Sequence, residues 1–115
     1  MKIGSEGTNV DLVIPHGCSL SFTVEQEGEG SQTIDHSQSS ARMAIVGPHC
    51  FKMDLSGCCS CTGQGIAIVI PSSVTKKLKL GDYSWDLVVT TNLGEVTRLA
   101  YGSVYITQTY ALDNR

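Results

Sequence analysis

Leu80-Gly81-Asp82-Tyr83-Ser84-Trp85-Asp86-Leu87-Val88-Val89-Thr90 carries the strongest structural signal in the chain. Tyr83, Trp85, Leu87 and Val89 alternate with smaller or polar residues, the period-two mark of a half-buried strand. Asn92 to Gly94 supplies a hairpin turn, and Val96 to Thr107 continues as a second long strand. A Gly at position 102 interrupts that strand and marks a bulge or a close approach of backbone.

The same pattern extends upstream. Val10 to Ile14 is a short apolar run stopped by Pro15 and Gly17. Leu20, Phe22 and Val24 alternate, as do Ala41, Met43 and Ile45, and again Phe51, Met53 and Leu55. Ile66 to Ile70 is a β-branched strand core ended by Pro71. Residues 32–40 are polar and show neither period. Ser72 or Ser73 can cap one helical turn, with Val74 and Leu78 on one side, lysines 76, 77 and 79 after it, and Gly81 as the stop. About seven strands with turn signals between them predict an all-β fold: one immunoglobulin-like antiparallel β-sandwich with one short helical turn. Leu78 and Leu80, then Gly81-Asp82-Tyr83, resemble the tyrosine corner of such sandwiches, where a Tyr hydroxyl holds the preceding crossover. The boundaries are an N-terminal arm at 1–9, the sandwich at 10–107 and a polar tail at 108–115.

The chain has 115 residues and a mass of 12.3 kDa, enough for one core. Size scaling predicts that roughly 6,100 of about 17,800 Å² stay exposed on folding. A net charge of −3 without a Lys/Arg cluster argues against nucleic acid as partner. No signal-peptide pattern opens the sequence, and the longest apolar run, Ile66 to Ile70, is too short to span a bilayer. The expectation is a soluble cytoplasmic product that is not inserted in a membrane and reaches its place by assembly.

Five cysteines stand at 18, 50, 58, 59 and 61, four of them within twelve residues. Cys58 and Cys61 have knuckle spacing, and Cys50 and His49 can complete a zinc set. A second knuckle is missing, so no metal or other cofactor is favoured. Free thiols in a hairpin loop, or a local disulfide from Cys50 to Cys58 or Cys61, are the competing readings. His16 and Cys18 neighbour one another, but nothing nearby completes a nucleophilic site. His36 and the aspartates are dispersed, so no catalytic residues are assigned and the chain is read as a non-enzyme. Trp85, Tyr101, Tyr105 and Tyr110 form a sugar-stacking platform if exposed, and part of the core if not.

A broader resemblance joins these segments. His16-Gly17-Cys18-Ser19-Leu20-Ser21-Phe22-Thr23-Val24, Ser40-Ala41-Arg42-Met43-Ala44-Ile45 and Ile66-Ala67-Ile68-Val69-Ile70-Pro71-Ser72-Ser73-Val74-Thr75 resemble successive strands of tailed-phage virion proteins. Leu80 to Leu87 and Gly94-Glu95-Val96-Thr97-Arg98-Leu99-Ala100-Tyr101-Gly102-Ser103-Val104 extend the match to residues about 10–107. The family carries an immunoglobulin-like domain related to the N-terminal domain of baseplate upper proteins. The resemblance implies a structural subunit that attaches fibres or receptor-binding proteins to a bacteriophage tail or baseplate. Its partners would be other virion proteins and further copies of itself. Capsid decoration is the alternative, and a carbohydrate-binding sandwich a more distant one. Tyr83, Asp86, Arg98 and Gly102 fall on recurrent positions of the family, with Asp86 and Arg98 a candidate cross-strand ion pair. The cysteine loop at 58–61 and the lack of a fibre-like extension depart from the family, and the latter implies a separate small subunit.

Overall fold

The computed structural model describes residues 2–3, 7–28 and 32–112. The fold is an all-β sandwich of two sheets. Seven strands form its body: β4 (Leu20–Gln26), β5 (Ser40–Val46), β6 (Lys52–Asp54), β7 (Cys59–Thr62), β8 (Gly65–Ile70), β9 (Gly81–Thr90) and β10 (Val96–Thr107). Three short strands precede them: β1 (Lys2–Ile3), β2 (Thr8–Asn9) and β3 (Leu12–Pro15). One sheet has the order β1-β4-β8-β7. The other has β2-β10-β9-β5-β6, with β3 also on β10. The body strands pair antiparallel, whereas β1 runs parallel to β4, and β2 and β3 run parallel to β10. The N-terminal arm expected at 1–9 therefore contributes strands to both sheets.

Alternation explains the packing. Met43 and Ile45 of β5, Trp85, Leu87 and Val89 of β9, and Ile66, Ile68 and Ile70 of β8 are buried between the sheets. Ile14, Val24, Leu78, Leu99 and Val104 belong to the same core. The long strand β10 does bulge, but at Leu99 rather than at Gly102. Arg98 pairs with Val88 and Ala100 with Leu87, so one extra residue is accommodated there. Two consecutive side chains, Leu99 and Ala100, thereby both face the core.

Among the described residues, two 3-10 turns accompany the expected short helical turn. A 3-10 turn covers Ser56–Cys58, a single α-turn (α1) covers Ser72–Thr75, and a second 3-10 turn covers Tyr110–Leu112. Pro71 occupies the N-cap of α1 without a side-chain cap, so neither serine has that role. Thr75 anchors the turn instead: its hydroxyl lies 2.9 Å from the Cys18 carbonyl. The cysteine-rich loop is also corrected. Cys59–Thr62 is strand β7, paired antiparallel with β8. Cys59 and Cys61 alternate inward as small apolar residues, which is why so polar a stretch joins the sheet. The tail at 108–115 includes Tyr110–Leu112, and residues 113–115 lie outside the described ones. Among the described residues, no helix is long and apolar enough to cross a membrane.

Candidate functional site

β9 carries Tyr83, Trp85 and Asp86 among the residues singled out in the sequence. Tyr83 stands near its start, and its hydroxyl donates to the Lys79 carbonyl at 2.7 Å. That bond ties the crossover after α1 to the sheet. The Tyr83 ring also packs against Phe51, with centroids 5.6 Å apart and planes tilted by 60°. Phe51 is delivered by the β5–β6 turn, in which His49 and Cys50 adopt left-handed φ values of 60° and 61°. Such values are uncommon for residues other than glycine. Gly47 permits the arrangement, because a Cβ there would lie 2.6 Å from the Tyr83 ring. The result is a cleft of about 330 Å³ lined by Pro48, His49, Phe51 and Tyr83, with Lys77 and Lys79 beside it.

Trp85 is a core residue, 3% exposed. Its ring meets Phe22 of the opposite sheet edge-on at 6.3 Å. Its indole N–H donates to the Val10 carbonyl at 2.8 Å, so the one Trp fastens the segment between β2 and β3. Gly102 faces the same carbonyl from β10, and a Cβ at 102 would collide with it. Gly102 is thus a close-approach residue, not the bulge. Asp11 fills the local gap in the ladder, its Oδ1 accepting from the Ser103 N–H at 3.0 Å.

Asp86 and Arg98 are not an ion pair. The hairpin register places Arg98 opposite Val88, and beyond the bulge Asp86 lies opposite Tyr101. Arg98 instead rests its guanidinium 4.2 Å from the centre of the Tyr101 ring. Asp86 and Arg98 nevertheless line one depression on the outer face of that sheet, with Ala44, Ser84, Tyr101 and Ser103.

The zinc set is not assembled. Among the described residues, no group of three or more His, Cys, Asp and Glu side chains is placed to hold a metal ion. All five cysteines are free. Cys50 is exposed on the β5–β6 turn, whereas Cys58 and Cys61 pack against the core beside β8. Burial raises the Cys58 and Cys61 thiols above their ordinary pKa. Cys59 goes furthest, to about 11, through burial and then the neighbouring Cys58, Cys61 and Asp54. These thiols stay protonated at neutral pH, the opposite of what a nucleophile needs.

His16 and Cys18 also part company. The His16 Nε2 lies 3.2 Å from the Lys76 carbonyl, and the Cys18 sulfur lies 4.0 Å from the Thr109 hydroxyl. His36, in the aperiodic 32–40 stretch, is buried at 2% exposure and sits between Gln26 Oε1 at 2.9 Å and Ser39 Oγ at 3.0 Å. Burial lowers its pKa, partly opposed by Asp35. Neither this anchor nor the aromatic cleft carried a periodic signal. The two left-handed residues on the β5–β6 turn are ordinary His and Cys in sequence.

No family model and no curated protein matches the chain. Among solved structures, the Bacteroides ovatus mixed-linkage glucan utilization locus SGBP-B, in complex with a mixed-linkage heptasaccharide, is similar at 13% identity and a TM-score of 0.38. The alignment covers 93% of this chain and 23% of that one. A family 123 glycoside hydrolase from Clostridium perfringens is similar at 13% identity and a TM-score of 0.37, over 88% of this chain and 23% of its own. The chain spans under a quarter of either structure, and likeness this distant bears on no functional question.

Proposed function

We propose that the chain is a non-enzymatic structural subunit of a tailed bacteriophage virion. In this reading it is an immunoglobulin-like adaptor at the tail or baseplate that attaches fibres or receptor-binding proteins through protein–protein contacts. One observation carries the reading: the resembling segments fall in order on β4, β5, β8 with α1, β9 and β10 of a single sandwich. The surfaces suit contact rather than chemistry. Among the described residues the Cys and His candidates do not come together as a metal-binding group. A sugar-stacking platform built on Trp85 has no support, because that ring is buried against Phe22.

The test is immunogold labelling of intact particles, read by electron microscopy, with mass spectrometry of purified virions beside it. Label at the tail or baseplate is the expected result. Label over the head moves the assignment to capsid decoration. Absence of the chain from purified particles overturns the reading.

A further inference from the structure

The two ends of the sandwich differ in shape and charge. At one end the β9–β10 turn projects Leu93, whose side chain is 84% exposed. The turn is rigidly built. The Thr91 N–H donates to the Glu95 carbonyl at 2.8 Å and the Gly94 N–H to the Thr91 carbonyl at 3.0 Å. The Glu95 N–H donates to the Thr91 hydroxyl at 3.1 Å, and Gly94 takes the left-handed φ of 86° that the turn requires. An apolar knob with an adjoining carboxylate is thus presented without loop entropy left to lose.

At the other end lies the cleft of Pro48, Phe51 and Tyr83 with Lys77 and Lys79. It offers apolar walls and a cationic rim. Strand register fixes the separation: Tyr83 stands at the beginning of β9, and the turn follows its end at Thr90. At about 3.3 Å per residue the two features are more than 20 Å apart, so one chain cannot satisfy both. Lys76, Lys77 and Lys79 cluster at the cleft end, where Asp82 alternates to the face of β9 opposite Tyr83. At the knob end Arg42 and Arg98 both lie opposite Val88, so the carboxylate that can meet the lysines is Glu95 on the turn itself.

We propose that copies of this chain associate head to tail, Leu93-Gly94-Glu95 of one copy seating in the lysine-rimmed cleft of the next. The occupant is a second copy because the chain itself carries the complementary knob, of matching chemistry, at its far end. Such an interface is heterologous: it closes into a ring or propagates as a stack, according to the rotation between copies. The inference rests on the reading of the chain as an assembly subunit, but its test is separate from particle labelling.

Sedimentation velocity on the purified chain, at low and high salt and from about 10 μM to about 1 mM, measures it. The wild-type chain should form species larger than a dimer, more weakly at high salt. Leu93→Lys removes the knob, and Lys77→Glu combined with Lys79→Glu reverses the rim. Each should weaken association by about tenfold or more, with unchanged circular dichroism. All three side chains are exposed, so folding is not at stake. An equimolar mixture of the two variants decides the geometry. One retains a working cleft and the other a working knob, so the mixture should give a 1:1 dimer and nothing larger. A wild-type chain that stays monomeric throughout overturns the proposal. So does a mixture that stays monomeric while the wild type associates, or a variant that assembles as the wild type does.

Discussion

Replacing Gly102 by Ala drives a Cβ into the Val10 carbonyl. That carbonyl is main chain and cannot rotate out of the way. It accepts the Trp85 indole N–H at 2.8 Å, and the Val10 N–H itself donates to the Tyr101 carbonyl at 2.7 Å. Moving the segment aside weakens both bonds, at about 1 kcal/mol each, and leaves a buried indole N–H unpartnered for about 1–3 kcal/mol more. The expected loss is therefore about 3–5 kcal/mol, a large part of the ~5–15 kcal/mol that holds a domain of this size together. Urea unfolding followed by the fluorescence of the one Trp checks it. The midpoint should fall by about 2 M at unchanged slope. Gly57→Ala is the control, since nothing lies within 4 Å of a Cβ there, and it should stay within about 0.5 kcal/mol of wild type. A Gly102→Ala loss below about 1 kcal/mol refutes the argument that Trp85 and Gly102 share one essential carbonyl.

Three further outcomes are expected. Tyr83→Phe removes the hydroxyl from the Lys79 carbonyl but keeps the ring on Phe51; water re-solvates that carbonyl, so urea unfolding should show only about 0.5–1.5 kcal/mol lost. His36 titrates below its ordinary 6.5 in the folded chain, so unfolding takes up a proton. Its contribution is complete above about pH 6.5 and is lost as pH falls through the lowered folded pKa, by up to about 1.4 kcal/mol per unit. Urea midpoints between pH 7 and 5, above the carboxylate range, should show that slope in the wild type and a flatter one in His36→Gln. Thiol labelling at pH 8 with mass spectrometric readout should modify exposed Cys50 before the half-buried cluster and Cys59 last, because the Cys59 pKa is pushed up to about 11. Equal rates at Cys50 and Cys59 would contradict the burial that orders them.

The strands legible in the sequence were those whose side chains alternate. Leu20 to Val24, Ala41 to Ile45 and Tyr83 to Val89 each state their inward face, and the sandwich puts those faces together. Cys59 to Thr62 escaped because cysteine reads as chemistry before it reads as a small apolar residue, yet here it packs. The ion pair expected between Asp86 and Arg98 failed for a reason that lies in register. The hairpin register itself sets Arg98 opposite Val88, and the extra residue at Leu99 then brings Tyr101 rather than Ala100 opposite Asp86; a bulge of that kind leaves no compositional mark. The cleft was illegible because Phe51, Tyr83 and the two lysines come from three separate segments, joined by a turn whose left-handed His and Cys are not turn-forming types.

The parallel pairing of β2 and β3 with β10 has a mechanical meaning. The ladder runs from Thr8 opposite Ala100 to Pro15 opposite Thr107, and the His16 N–H extends it onto the Thr107 carbonyl. Tension applied through the segments before β2 and after β10 drags the two sides of this ladder past one another lengthwise. Every rung then bears load together, and none can be opened singly like the tooth of a zip. A hairpin pulled at its two free ends gives way rung by rung; this seam must yield all at once. The sandwich is therefore stiff along the line that joins its first strands to its last.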